Sequence, residues 1–148
     1  MGSKWFDIWW KVLFATNIIL IIFGLVIYII GLIPETTAIF IESFTSEISF
    51  KSIRSSIRNF LQLSTAVLGA TILSWGIVII FLTLYPIKNK QKWGLYAIGV
   101  SISIWYVFDT IASITFKNLT NILLNTIVLI LIGIPLICLN FAKDWEKK

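Results

Sequence analysis

Four apolar runs, each long enough to cross a bilayer, decide what this chain can become. The first, residues 12–33, reads VLFATNIILIIFGLVIYIIGLI; the others span about 60–85, 93–116 and 119–141. About 20 apolar residues in an α-helix cover about 30 Å, the depth of the hydrocarbon layer. Lipid offers the backbone no hydrogen-bond partner, so such runs are expected to be helical. Composition agrees: 13% of the 148 residues are charged, against about 25% in soluble domains. Mean hydropathy is +0.94. The expected fold is all-α, a single membrane domain over residues 1–148. It is an antiparallel bundle of four transmembrane helices, with a partly helical amphipathic loop over 34–59.

Punctuation fixes the order of the spans. Pro34 closes the first run, Pro86 closes the second, and only Lys117 and Asn118 separate the third from the fourth. Spans 3 and 4 are therefore expected to form a tight antiparallel hairpin. The first run has a basic start, yet it exceeds a signal-peptide core and lacks a small-x-small site, so it is expected to be retained. The opening MGSKWF misses the myristoylation pattern because Phe6 stands where Ser or Thr is needed.

Basic residues divide unequally between the two sides. Lys4, Lys11, Lys88, Lys90, Lys92, Lys143, Lys147 and Lys148 lie on one; Lys51, Arg54, Arg58 and Lys117 lie on the other. The positive-inside rule then predicts that both termini and the loop PIKNKQKW are cytoplasmic. Trp5, Trp9, Trp10, Tyr85, Trp93 and Trp145 fall at the same interface, where aromatic anchors are expected.

Two absences narrow the chemistry. The chain has no histidine and a single cysteine, Cys138. These exclude an intrachain disulfide, bis-histidine haem and most zinc or copper sites. No metal site and no cofactor are expected. General acid–base catalysis needs a second group near the first. The spans offer one carboxylate, so the reading leans away from an enzyme. The pI near 9.5 does not point to nucleic acid, because no basic patch is interleaved with aromatics on a soluble face.

That one carboxylate is Asp109, inside SISIWYVFDTIAS. It lies about 10 Å below the outer end of span 3 at 1.5 Å per residue. Trp105, Asp109 and Ser113 recur every four residues and share a face. On span 4, Asn118, Asn121 and Asn125 form a one-sided polar stripe, with Asn125 at the depth of Asp109. Gln62, Thr65 and Trp75 on span 2 are expected to add to the pocket. An acid in a span usually faces the bundle interior or a wet cavity. With no cation in reach, Asp109 is expected to be protonated or to face an outward-opening cleft.

Between spans 1 and 2, Pro34-Glu35 reads as a helix start, with a break expected near 46–49. Lys51, Arg54 and Arg58 follow on one expected helical face, a candidate headgroup- or partner-binding surface, and Glu47 is expected to pair with Lys51. Gly24 and Gly31, and Gly69 and Gly76, are each one heptad apart, and should let spans 1 and 2 approach closely. Thr16 and Asn17 are expected to be polar packing groups, and Pro135 with Gly133 to kink span 4.

SWG at 74–76, YPIKNKQKW at 85–93, WYVFDTIAS at 105–113, and Asn118, Asn125 and Pro135 together resemble a group of small bacterial four-span proteins without an assigned activity. The resemblance covers about residues 65–138. It implies a bacterial inner membrane and gives weight to Asp109, but no substrate.

The function expected from these features is non-enzymatic. A lipid-like or small amphipathic ligand would bind in an outer-leaflet pocket around Asp109, with the protein alone or as an accessory subunit of a larger membrane complex. Two alternatives stay open: a homo-oligomeric ion or proton channel or small transporter using Asp109, and a membrane immunity or interaction protein.

Overall fold

The computed structural model describes residues 4–44, 49–143 and 145, and among these every regular element is helical. In chain order they are α1 (Lys4–Leu32), α2 (Pro34–Phe44), a 3₁₀ turn (Phe50–Ser52), α3 (Ser55–Leu82) continued by a π-helical turn (Thr83–Ile87), α4 (Lys92–Thr115) and α5 (Leu119–Asn140). Four segments are long and apolar enough to cross a membrane: Lys4–Leu32, Ser55–Ile87, Lys92–Thr115 and Leu119–Asn140. Their outward side chains fit lipid rather than water: Phe108 is 70% exposed and Phe116 82%. The chain is thus a helical, multi-pass membrane protein by length and composition.

α1 begins eight residues before the first apolar run, because polar residues continue a helix past the hydrocarbon at no cost to its backbone bonds. α3 likewise does not stop at Pro86. Proline has no N–H and crowds the carbonyl four residues back. The chain answers by widening one turn: Lys88 N–H bonds Thr83 O at 3.0 Å, five residues back. At the other proline, Pro34 cannot donate to Ile30 O. The hydroxyls of Thr36 and Thr37 donate to that carbonyl instead, at 3.0 and 2.7 Å.

The chain divides into two compact units, residues 19–76 and residues 1–18 with 77–148. In the first, α1 and α3 touch through their backbones. A Cβ on Gly69 would lie 2.2 Å from Tyr28 N; one on Gly31, 2.3 Å from Ala66 N; one on Gly24, 2.5 Å from Leu73 N. Only glycine fits there. Gly76, one heptad beyond Gly69, is buried. The basic residues expected on one helical face are split by the turn: Lys51 is in the 3₁₀ turn, Ile53 is extended, and α3 starts at Ser55. Glu42 organises this turn, its Oε1 accepting from Phe50 N at 2.8 Å. Glu47 and most of the expected break lie outside the described residues.

In the second unit, α4 and α5 form a hairpin with a minimal connection. Lys117 adopts φ 53°; its N–H bonds Ile114 O at 3.0 Å and Asn118 N–H bonds Ser113 O at 2.8 Å. This is a Schellman ending with lysine where glycine is usual. Asn118 then caps α5, its side chain accepting from Asn121 N. At the far end of the same unit, Trp5 Nε1 donates to Cys138 O at 3.0 Å and Trp145 Nε1 to Leu139 O at 2.9 Å. Two indoles thereby bond carbonyls in the last turn of α5, where Leu139 O also accepts from Ala142 N at 3.0 Å. The start of α1, the 88–91 loop and the segment after α5 meet there. Pro135 lies buried inside α5.

Candidate functional site

The hairpin brings the acid and the asparagines together. Asn121 Nδ2 donates to Asp109 Oδ1 and to Ser113 Oγ, both at 2.7 Å. Ser113 Oγ sits 2.7 Å from Asp109 O and 3.3 Å from Asp109 Oδ1, and donates between them. Both amide hydrogens of Asn121 are thus used on one small ring of groups. The spacing of four on α4 and the two-residue connection produce it: Asn121, one turn into α5, lands opposite Ser113 and between it and Asp109.

The same register continues along the hairpin. Four residues from Ser113 on α4 and four from Asn121 on α5 set Asp109 level with Asn125. Further along, Ile102, Ile98 and Leu95 fall level with Ile132, Leu136 and Leu139, and all six are buried. The polar groups therefore occupy the hairpin end of a seam that is otherwise aliphatic.

Within that end, two groups stand out by what they do not bond. Asn125 is 3% exposed, and its Nδ2 is buried with no hydrogen-bond partner among the described residues. Thr110 Oγ1, one residue from Asp109, is in the same condition. Thr115, Ser103 and Thr126 on the same two helices donate to their own carbonyls four residues back; Thr110 does not. Leaving such a group unsatisfied costs about 1–3 kcal/mol. On Asp109, Oδ1 carries all of the carboxyl's hydrogen bonds among the described residues, and Oδ2 takes none.

Of the other candidate residues, Asn118 serves as the helix cap and Trp105 is half-buried one turn before Asp109. Thr65, Gln62 and Trp75 belong to the 19–76 unit, where Thr65 is buried and donates to Leu61 O at 2.9 Å. Lys51 and Arg54 are exposed, and Arg58 Nη1 lies 3.4 Å from Lys51 O. No group of three or more metal-ligating side chains occurs among the described residues.

Sequence reasoning missed two features. One is a shallow groove of about 590 Å³ between α4 and α5, lined by Leu95, Gly99, Ser103, Leu136 and Asn140 among others. It lies toward the Trp5 end of the hairpin, away from Asp109. Its signal was Gly99 with Ser103 at a spacing of four, and a Cβ on Gly99 would meet nothing within 4 Å. The other is the state of Asn17, expected as a polar packing group: it is fully buried with Nδ2 on Leu13 O at 2.7 Å, and its Oδ1 has no partner among the described residues. Compared with known proteins, the chain matches no family model, no curated protein and no solved structure.

Proposed function

We propose that this protein is a non-enzymatic membrane protein that holds the polar end of a lipid-like or small amphipathic molecule at the Asp109 end of the α4–α5 hairpin. One observation carries the reading. Around Asp109, whose Oδ2 takes no hydrogen bond among the described residues, the buried Asn125 Nδ2 and Thr110 Oγ1 also lack partners. Phe108 and Ile111, the neighbours of Asp109 and Thr110 on α4, are exposed apolar side chains that suit an apolar tail. A ligand with a hydroxyl or ammonium donor for Asp109 Oδ2 and an acceptor for Asn125 Nδ2 satisfies both groups. Buried polar groups that fix orientation within an apolar site are the usual design of such pockets.

The orientation belongs to the same proposal. The four spans form an antiparallel bundle in a bacterial inner membrane, with the lysine-rich end cytoplasmic and Asp109 in the outer leaflet. The support is the excess of basic residues at one end. The test is organic extraction of the purified chain and of Asp109→Asn, followed by mass spectrometry of the released molecules. A molecule enriched tenfold or more in the wild type, carrying both a donor and an acceptor, supports the proposal. Matching profiles overturn it.

A further inference from the structure

The Asp109 end of the hairpin constrains the chemistry of its occupant further than a polar end with an apolar tail. Asp109 Oδ1 receives Asn121 Nδ2 at 2.7 Å and Ser113 Oγ at 3.3 Å, both neutral donors, while Oδ2 receives nothing among the described residues. No lysine or arginine among them pairs with this carboxyl. Lys147 and Lys148 come just after Trp145, whose indole bonds Leu139 O at 2.9 Å. Leu139 is about 21 Å along α5 from Asn125, the residue level with Asp109, at 1.5 Å per residue. That end of the chain supplies the carboxyl with no cation.

At the same depth stand two donors with nothing to bond. Asn125 Nδ2 on α5 is buried without a partner among the described residues, and so is Thr110 Oγ1, one residue from Asp109 on α4. Ser113, one turn beyond Asp109, does bond its own carbonyl four residues back, at 2.7 Å. A carboxylate oxygen and two donors thus lie open together. Their complement is a cationic N–H group close to a group with several acceptor oxygens. A neutral alcohol would give Oδ2 its hydrogen but leave the carboxylate without a counter-charge in hydrocarbon, where such residues are usually paired. A quaternary ammonium carries the charge but has no N–H. An acidic headgroup brings like charge against Asp109. A primary ammonium beside a phosphate meets all three groups, with a charge-assisted bond to Oδ2.

We infer that the Asp109 site takes the headgroup of a primary-ammonium phospholipid, an inference that rests on the ligand-binding reading above. The ammonium bonds Asp109 Oδ2, and the phosphate oxygens accept from Asn125 Nδ2 and Thr110 Oγ1.

The test offers the full chain, in mild detergent, equal amounts of phosphatidylethanolamine, phosphatidylcholine and phosphatidylglycerol with identical acyl chains, and reads the bound lipid by native mass spectrometry. The wild type is expected to prefer phosphatidylethanolamine over each of the others by at least about tenfold, the worth of a hydrogen bond to a charged group. Asp109→Asn is expected to bring phosphatidylethanolamine down to the level of phosphatidylcholine. Thr110→Val is expected to weaken both of these lipids alike and keep their order; unchanged binding of both overturns the inference. Equal binding of all three lipids by the wild type, or a preference that survives in Asp109→Asn, also overturns it. If Asp109→Asn fails to fold, the wild type alone decides, because phosphatidylethanolamine and phosphatidylcholine differ only in the methyl groups on nitrogen. An Asp109-dependent ligand of another headgroup class overturns this inference and leaves the reading beneath it standing. The absence of any Asp109-dependent ligand overturns both.

Discussion

Asn121 reaches across the α4–α5 hairpin and places Nδ2 2.7 Å from Asp109 Oδ1, fixing the carboxyl of the acid from the neighbouring helix. The contact ties the acid's position to the hairpin turn. Asn118 caps α5 through the backbone N–H of the same Asn121, so the turn, the cap and the acid form one connected structure.

Removing that connection has a defined cost. Asn121→Ala loses the bonds to Asp109 and Ser113 together, and interhelical hydrogen bonds in membranes contribute about 0.6–2 kcal/mol. A lower melting temperature in mild detergent is expected, whereas Asp109→Asn, which keeps an acceptor oxygen, should melt close to wild type. Equal melting of Asn121→Ala and wild type would show that the contact contributes nothing.

Asn125 behaves in the opposite way. Its buried Nδ2 has no partner among the described residues, so Asn125→Leu removes an unsatisfied group of about 1–3 kcal/mol. The variant should be more stable than wild type in ligand-free detergent and should retain less ligand. Thermal melting and lipid extraction on the same preparation check both halves.

The glycines divide by their surroundings. Gly69→Ala forces a methyl to within 2.2 Å of Tyr28 N and should destabilise the chain by at least about 1–3 kcal/mol. Gly99→Ala meets open space and should be neutral or slightly stabilising. Comparing the two unfolding midpoints separates close packing from a general intolerance of glycine replacement.

Trp5→Phe keeps the ring and deletes the donor to Cys138 O. Hydrogen exchange over the last turn of α5 should quicken severalfold, as expected for a bond of about 1 kcal/mol, while exchange at Asp109 and Asn121 stays unchanged.

Much of this architecture could be read from the residues. The apolar runs placed α4 and α5 to within a residue of their ends, since Trp93 and Leu119 sit beside the polar punctuation that also bounds the helices. The nearness of Asp109 to the asparagines of α5 followed from a two-residue connection and from spacings of three and four, although the contact is made by Asn121 and not by Asn125, the residue set level with the acid. Other features depend on atoms that a pattern does not contain. Whether Asn125 bonds its neighbour is set by side-chain conformation after Asn121 has taken Asp109 Oδ1. Pro86 reads as a stop, yet the chain absorbs it by one bond to a carbonyl five residues back. The 3₁₀ turn over Phe50–Ser52 depends on Glu42, eight residues before Phe50, and no local periodicity reports that contact.

Native mass spectrometry of the intact chain in mild detergent, wild type beside Asp109→Asn, tests the central claim most directly. The account predicts about one small amphipathic molecule per wild-type chain, lost from the variant while its fold is retained. The same bound mass and stoichiometry on both proteins, or none on either, would contradict it.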